Sequence, residues 1–428
     1  MRKLHFLSFF LLLFFNVTST YAGHILNYKL VERITIAQLE QKWKSHGLPQ
    51  FIAPIRNEID VYDIDYTTKW HDGSEIKASG LYLVPVNVKE PMAQLIYHHG
   101  TSVKKERSGM FFNGEEMLCF FYAADAYSVI MPDYIGLGRG EKRHLYQHAD
   151  SEGQAAIDML AAVNELNETL KLKTSGQLFL TGYSQGGHST LATHKKIEAE
   201  YQGTYKVTAS APMSGAYDMC GAQSTVMFQP YTQPHYLPYL VDSYQEAYKL
   251  FSGEVYQMYK PKYQALIKRL YNGKYQHYQI NDSLPSIPIE MFSDSLTKEF
   301  KTNPNFPFKV RLQENGMCEW KPIAPVLMSY SLKDEEVFYQ NSLVAYKGMK
   351  KMGAKHVRKL QVSTKFSHAN TAGFATLQSK LYFDSFRKGS KNGNLGSVWK
   401  RCVIRIAKWA TPEKNLKRRM KHLAEKKI

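Results

Sequence analysis

The stretch LFLTGYSQGG, residues 178–187, decides how this chain folds. It begins with a short apolar run of the kind that forms a buried parallel strand, and it ends in a G-x-S-x-G pattern centred on Ser184. Beyond it, Leu191 and Ile197 fall on a helical pattern. A serine between a strand and a helix is typical of a nucleophile elbow, in which a strained turn exposes the hydroxyl above a sheet. We therefore predict Ser184 as a catalytic nucleophile; the alternative is an ordinary glycine-rich turn.

Further apolar runs along the chain predict more buried strands. These runs lie at 93–97, 128–131, 207–211 and 326–330. Helical patterns separate them, and an antiparallel hairpin over 61–69 and 76–84 precedes them, with Asp72-Gly73 at its turn. Strands that alternate with helices predict βαβ units, and therefore an α/β fold with a mostly parallel sheet flanked by helices.

A serine nucleophile needs a base, and the base needs an acid that orients it. Behind an elbow of this kind the acid comes first along the chain and the histidine second. The strand at 326–330 leads directly into Asp334, which we predict as the acid. Glu335 and Glu336 compete for that role, and we interpret them as the solvated start of the next helix.

The base follows one strand further on. Residues 360–362 predict that strand, and His368 lies in the loop after it. His356 competes, but it precedes the same strand, and catalytic groups gather at the carboxyl ends of parallel strands. We therefore predict His368 as the base, against the alternative of a solvated loop histidine.

A tetrahedral intermediate requires backbone N–H donors for its oxyanion. We expect one from Gln185, directly after the nucleophile, and one from Thr101, in the loop after the strand at 93–97. A rival interpretation makes His98 and His99 metal ligands. Adjacent residues of a strand point to opposite sides, which disfavours a shared metal. We predict neither a metal nor an organic cofactor.

The motifs resemble those of the secretory lipases, a branch of the α/β-hydrolases that contains exported bacterial and fungal lipases and esterases. The matching stretches, between about residues 60 and 380, are YHHGT (97–101), MPDYIGLGRG (131–140), HLYQHADSEGQAAIDML (144–160), GYSQGG (182–187), APMSGAYD (211–218) and the turn through Asp334. The resemblance implies an α/β-hydrolase fold, a triad of Ser184, Asp334 and His368, and an oxyanion hole from Thr101 and Gln185. It also implies an inserted cap. Two departures are SLKD at 331–334 and KFSH at 365–368, each without the glycine usual before the acid or the base.

The strand and helix alternation stops at about residue 218 and resumes at about 325. We interpret 218–324 as a cap or lid subdomain, since an insertion this long is not a loop, and 23–217 with 325–386 as the hydrolase core. Eleven tyrosines lie between Tyr231 and Tyr278. They indicate either ordinary subdomain packing or an acyl-binding pocket. Cys220 and Cys318 lie at the two ends of the insertion, and we hypothesise a disulfide between them.

The two ends of the chain carry separate signals. Residues 1–22 combine Met1-Arg2-Lys3 with a short apolar run and small residues near Ala22, which predicts a secretory signal peptide and an exported protein. Of the net charge of +17, the tail 387–428 carries +12, from fourteen Lys or Arg against two Glu. The body is therefore almost neutral, and we do not expect nucleic-acid binding. The tail predicts either an amphipathic contact with an anionic membrane or a solvated terminus.

The function these features favour is hydrolysis of carboxylic esters, of small-molecule or lipid substrates, as an esterase or lipase. A serine peptidase or an acyltransferase would use the same triad. A non-catalytic surface-binding protein is the alternative from another class.

Overall fold

The computed structural model describes residues 23–107, 115–253 and 255–411 of the 428. The predicted signal peptide and the basic residues after Thr411 lie outside the described residues. Nine strands form one sheet: Ile25–Ile34 (β1), Ile59–Lys69 (β2), Glu75–Pro85 (β3), Met92–His98 (β4), Tyr127–Pro132 (β5), Thr174–Tyr183 (β6), Val207–Met213 (β7), Val326–Ser331 (β8) and Val357–Ser363 (β9).

Twelve α-helices lie in the described part of the chain. They are Ile36–Ser45 (α1), Glu116–Ala123 (α2), Ala149–Thr169 (α3), Gln185–Glu200 (α4), Tyr236–Tyr248 (α5), Pro261–Leu270 (α6), His277–Asp282 (α7), Asp294–Thr302 (α8), Pro307–Glu314 (α9), Gln340–Lys351 (α10), His368–Arg387 (α11) and Val398–Ala410 (α12). None of the helices that the structure describes is long and apolar enough to cross a membrane.

The sheet is mixed and mostly parallel, in the order β1-β2-β3-β5-β4-β6-β7-β8-β9. The first three strands and β5 pair antiparallel, and all pairs from β5 to β9 are parallel. The predicted hairpin and the predicted parallel strands are confirmed. The edge strand β1 was not predicted, because most of its side chains are exposed and its pattern is not one of a buried strand.

Both faces of the central strands are buried under helices, which explains their continuous apolar runs. Along β6, Phe179 packs with α2 and α11 on one face, whereas Leu180 packs with α3 on the other. Neighbouring strand residues point to opposite faces, so a strand covered on both sides is apolar at most positions. This layered core holds the carboxyl ends of β4, β6, β8 and β9 at one edge.

The chain between β7 and β8 is helical, with α5 to α9 around an apolar cluster of its own. Tyr239, Tyr244 and Tyr259 are buried in that cluster. Some of its contacts with the rest of the protein involve the loop before α3: Ser243 receives a hydrogen bond from the Tyr146 amide, and Tyr244 donates one to the carbonyl of Gln147. The segment therefore lies above the carboxyl edge of the sheet.

Candidate active site

Ser184 stands between β6 and α4 with φ 61° and ψ −119°, a left-handed conformation that non-glycine residues rarely adopt. The glycines around it are needed because the turn is crowded. A methyl group on Gly186 would lie 1.9 Å from the carbonyl oxygen of His98, and one on Gly182 would lie 2.4 Å from the same atom. The local sequence thus forms a strained, tightly packed strand-to-helix turn that positions one hydroxyl.

Asp334 and His368 come together from the ends of two neighbouring strands. Asp334 follows β8, and His368 begins α11 after β9. Nδ1 of His368 lies 2.8 Å and 2.9 Å from the two carboxylate oxygens of Asp334, and both side chains are buried. The backbone amides of Glu336 and Val337 also donate to Asp334, which fixes the carboxylate.

Tyr183, the residue before Ser184, holds the histidine beside the elbow. Its hydroxyl donates to the carbonyl of His368, and the two rings lie 4.8 Å apart. Within the described residues, no hydrogen bond joins the Ser184 hydroxyl itself to His368. Sequence reasoning did not assign Tyr183 a role, although its place inside the elbow pattern puts it next to any base.

The interpretation of the two competing glutamates as the solvated start of the next helix was wrong, because Glu336 is buried, Glu335 is half-buried and neither begins a helix. The next helix, α10, begins at Gln340. Glu335 accepts a hydrogen bond from the amide of His368 at 2.9 Å. Glu336 is buried, with one carboxylate oxygen 3.9 Å from Nε2 of His368. His356, by contrast, is exposed at the amino end of β9, where its carbonyl pairs with Val326.

The carboxylates around His368 control the charge of its ring. Burial alone lowers the pKa of His368, but the negative charges of Asp334 and Glu336 outweigh it and raise the pKa to about 9. The imidazolium form is therefore favoured around neutral pH.

The loop after β4 packs on the elbow. The backbone N–H groups of this loop and of the elbow differ in whether they donate a hydrogen bond within the protein. Gly100 donates its N–H to the half-buried carboxylate of Glu115 at 2.7 Å. Within the described chain, the N–H groups of Thr101 and Gln185 donate to no protein acceptor. The Thr101 hydroxyl lies 3.1 Å from that of Tyr146. His98 and His99 contact different groups, Thr193 and the carbonyl of Asp133, as expected for adjacent residues on a strand end.

A buried carboxylate behind α4 supports the elbow and was not found from the sequence. Glu152 accepts hydrogen bonds from the side chains of Gln185 and Ser189 and from the amide of Gln147. Burial tends to raise its pKa, but the contacts with His188 and His144 lower it overall, so it stays ionised. The signal that could have found it is the run HADSE at 148–152, where α3 begins at Ala149 with His148 as its cap.

A small, partly open cavity lies beside Ser184. The helical segment after β7 supplies much of its wall, with Val226, Met227, Leu237 and Leu240. Such a lining is apolar and suits a hydrocarbon chain. The hypothesis of a disulfide at the ends of this segment was wrong: Cys220 and Cys318 are both free thiols.

Solved structures similar to this chain have the same architecture. A crystallised protein of Legionella pneumophila described as a hydrolase is 28% identical, with a TM-score of 0.78, over 86% of this chain and 100% of its own. The rice cell wall degrading esterase LipA of Xanthomonas oryzae is 26% identical, with a TM-score of 0.74, over 84% of this chain and 95% of its own.

A solved structure of lower sequence identity also has a similar fold. Candida antarctica lipase A in its closed state shares 13% identity over 87% of this chain and 83% of its own, with a TM-score of 0.64, which is a likeness of fold. No family model matches the sequence. No curated protein matches it. The chain therefore has the α/β-hydrolase fold, and these structural neighbours are hydrolases, among them an esterase and a lipase.

Proposed function

We propose that this chain is an exported serine hydrolase that cleaves carboxylic esters of small-molecule or lipid substrates. The observation that carries the proposal is the conformation of Ser184: its strained backbone holds a hydroxyl on the wall of a mostly apolar cavity. Backbone strain of this kind persists where the surrounding structure enforces it, and it concentrates at functional sites. The likeness to the Xanthomonas esterase supports esters as the substrate class.

In the proposed mechanism His368 takes the proton of Ser184 while the serine oxygen attacks the ester carbonyl carbon. The carbonyl oxygen becomes an oxyanion, which the N–H groups of Thr101 and Gln185 stabilise. The bond to the alcohol oxygen then breaks, and His368 returns the proton to the leaving alcohol. Asp334 keeps the imidazole in the tautomer that accepts at Nε2.

The second half of the reaction repeats these steps with water. His368 deprotonates the water as it attacks the acyl-enzyme, the same two amides hold the second oxyanion, and Ser184 leaves with the proton. The proposed steps use no cofactor, because His368 passes each proton that it accepts to the group that leaves. Catalytic hydrogen bonds often tighten only in the substrate complex, so we expect the hydrogen bond between Ser184 and His368 to form when substrate binds.

Labelling with a fluorophosphonate tests the nucleophile. We expect the full chain to be labelled at Ser184, and we expect Ser184→Ala to lose both the label and the hydrolysis of p-nitrophenyl esters. Ser175→Ala, at the exposed opposite end of β6, is the matched control and keeps both. A wild-type chain that takes no label would favour the non-catalytic surface-binding alternative.

A substrate panel separates the proposed activity from its enzymatic rivals. We expect p-nitrophenyl acyl esters to be cleaved and aminoacyl amides to be left intact, because the cavity wall is apolar. Preferential cleavage of amides would favour a peptidase, and transfer of the acyl group to added alcohol in place of water would favour an acyltransferase.

Export is the remaining part of the proposal, supported by the signal-peptide pattern of residues 1–22. N-terminal sequencing of the protein recovered outside the cytoplasm is expected to begin at Gly23. Recovery of the uncleaved chain from the cytoplasm would contradict it.

A further inference from the structure

The outer face of α12 is apolar and exposed. Trp399 is 62% exposed, Ile406 65% and Trp409 81%. Together with Cys402 they follow each other at intervals of three, four and three residues, which places them on one side of a helix. Two exposed tryptophans on one helical face are unusual, because tryptophan is highly buried on average.

The helix is fixed to the hydrolase core, so this face is not the consequence of a loose terminus. On the inner side Ile404 is buried in the core cluster. Lys408 donates to the side chain of Gln378 in α11 at 2.9 Å. Lys365 donates to the carbonyls of Trp409 and Thr411 at 2.9 Å and 2.8 Å, which closes the C-terminal end of the helix.

The exposed face continues onto the body of the protein. Phe51, itself 49% exposed, lies in the segment after α1, and its ring centre is 5.1 Å from that of Trp399. The contact joins two parts of the chain that are far apart in sequence into one apolar surface. We call Phe51, Trp399, Ile406 and Trp409 the α12 patch.

Two exposed arginines lie beside the α12 patch. Arg401 and Arg405 are exposed on the same helix, one turn apart. The segment 387–428 carries a net charge of +12 in sequence. A surface of tryptophans with flanking arginines matches the interface of an anionic bilayer, where indole rings occupy the headgroup level and cations meet the lipid charge. A second copy of the chain would instead bring two segments of the same charge together.

We propose that the α12 patch docks this protein on an anionic lipid surface, with the helix axis in the plane of the membrane. The proposal is independent of the hydrolase activity, since it rests on the outer face of α12. The end of α12 also contacts the loop before His368, because Lys365, three residues before that histidine, donates hydrogen bonds to it.

Sedimentation with vesicles tests the docking. We expect the full chain to bind vesicles of phosphatidylcholine with phosphatidylglycerol, to bind pure phosphatidylcholine weakly, and to lose binding as salt is raised. Trp399→Ser with Trp409→Ser should lower the partition coefficient about tenfold or more. The matched control, Tyr278→Ser with Ile323→Ser, removes two exposed apolar side chains elsewhere and should bind like the wild type. All variants keep the same N-terminus, so residues 1–22 contribute equally.

Three outcomes would overturn the proposal. One is equal binding by the double tryptophan variant with an unchanged melting temperature. Another is loss of binding on truncation after Thr411 while the tryptophan variant still binds, which would assign the contact to the terminal basic residues. The third is concentration-dependent dimerisation that the tryptophan variant abolishes, which would make a second copy the occupant. If the double variant melts at a lower temperature than the wild type, vesicle binding is measured with Trp399→Ser alone. That variant should also bind more weakly, and binding equal to the wild type would overturn the proposal.

Discussion

The carboxylate of Glu336 lies 3.9 Å from Nε2 of His368, at the ring nitrogen that Asp334 does not contact. Gln233 and Tyr236, both from the helical segment above the sheet, donate hydrogen bonds to that carboxylate at 2.8 Å and 3.2 Å. The histidine therefore lies between two carboxylates, one of which the helical segment between β7 and β8 holds in place. An acceptor at Nε2 stabilises the charged ring and occupies the nitrogen that the proposed mechanism assigns to the proton of Ser184.

The pH dependence follows from this pair of carboxylates. His368 acts as a base only when it is neutral, so kcat/KM is expected to rise with pH and to level off above the pKa, about 9. Glu336→Gln removes a negative charge that favours the imidazolium, so the pKa falls and the rising limb moves about one pH unit lower. The measurement is a pH profile of ester hydrolysis. Glu319→Gln, an exposed carboxylate, is the control, and an unmoved limb in Glu336→Gln would contradict the assignment.

The choice of Asp334 as the orienting acid is tested by two amide substitutions. Asp334→Asn keeps the size of the side chain but favours the wrong histidine tautomer, so kcat is expected to fall about 10⁴-fold. Glu335→Gln alters a contact to the backbone amide of His368 and should cost far less. Comparable losses in the two variants, with unchanged melting temperatures, would show that the acid has been misassigned.

The cavity wall should set the acyl chain length. Leu237→Trp fills part of the apolar cavity beside Ser184, so kcat/KM for octanoyl esters should fall about tenfold relative to acetyl esters. Tyr278→Trp, a change of similar size on the exposed surface of the same segment, should leave that ratio unchanged. An unaltered ratio in Leu237→Trp would place the acyl chain elsewhere.

Steric crowding at the elbow predicts a stability effect. Gly186→Ala puts a methyl group 1.9 Å from the carbonyl of His98, and the backbone there cannot move without displacing β4. We expect the melting temperature to fall by about 3 °C or more. Gly203→Ala, where a methyl group has no neighbour within 4 Å, is the control and should melt like the wild type.

The free thiols predict a simple chemical result. Alkylation of the denatured protein without reductant is expected to modify Cys119, Cys220, Cys318 and Cys402. Mass spectrometry that finds Cys220 and Cys318 protected until reduction would restore the disulfide hypothesis.

Much of the architecture could be predicted because its signals are local. The strand before Ser184, the helix after it and the glycines between them lie within one short stretch, and each follows from backbone sterics or from hydrophobic periodicity. The order of strands along the chain also placed Asp334 and His368 at the same edge of the sheet. Their roles in catalysis, like the boundaries of the cap, stay predictions.

The remaining features depend on contacts between distant parts of the chain. The sequence by itself determined the α/β-hydrolase fold and the position of its elbow, since these follow from patterns within a few residues. The tertiary structure alone decided that Glu336 is buried beside His368, that the Tyr183 hydroxyl donates to the carbonyl of His368, and that Cys220 and Cys318 are free thiols. It also decided that Phe51 meets Trp399. Burial and charge depend on which side chains pack around a group, and in this fold those neighbours come from segments far away along the chain.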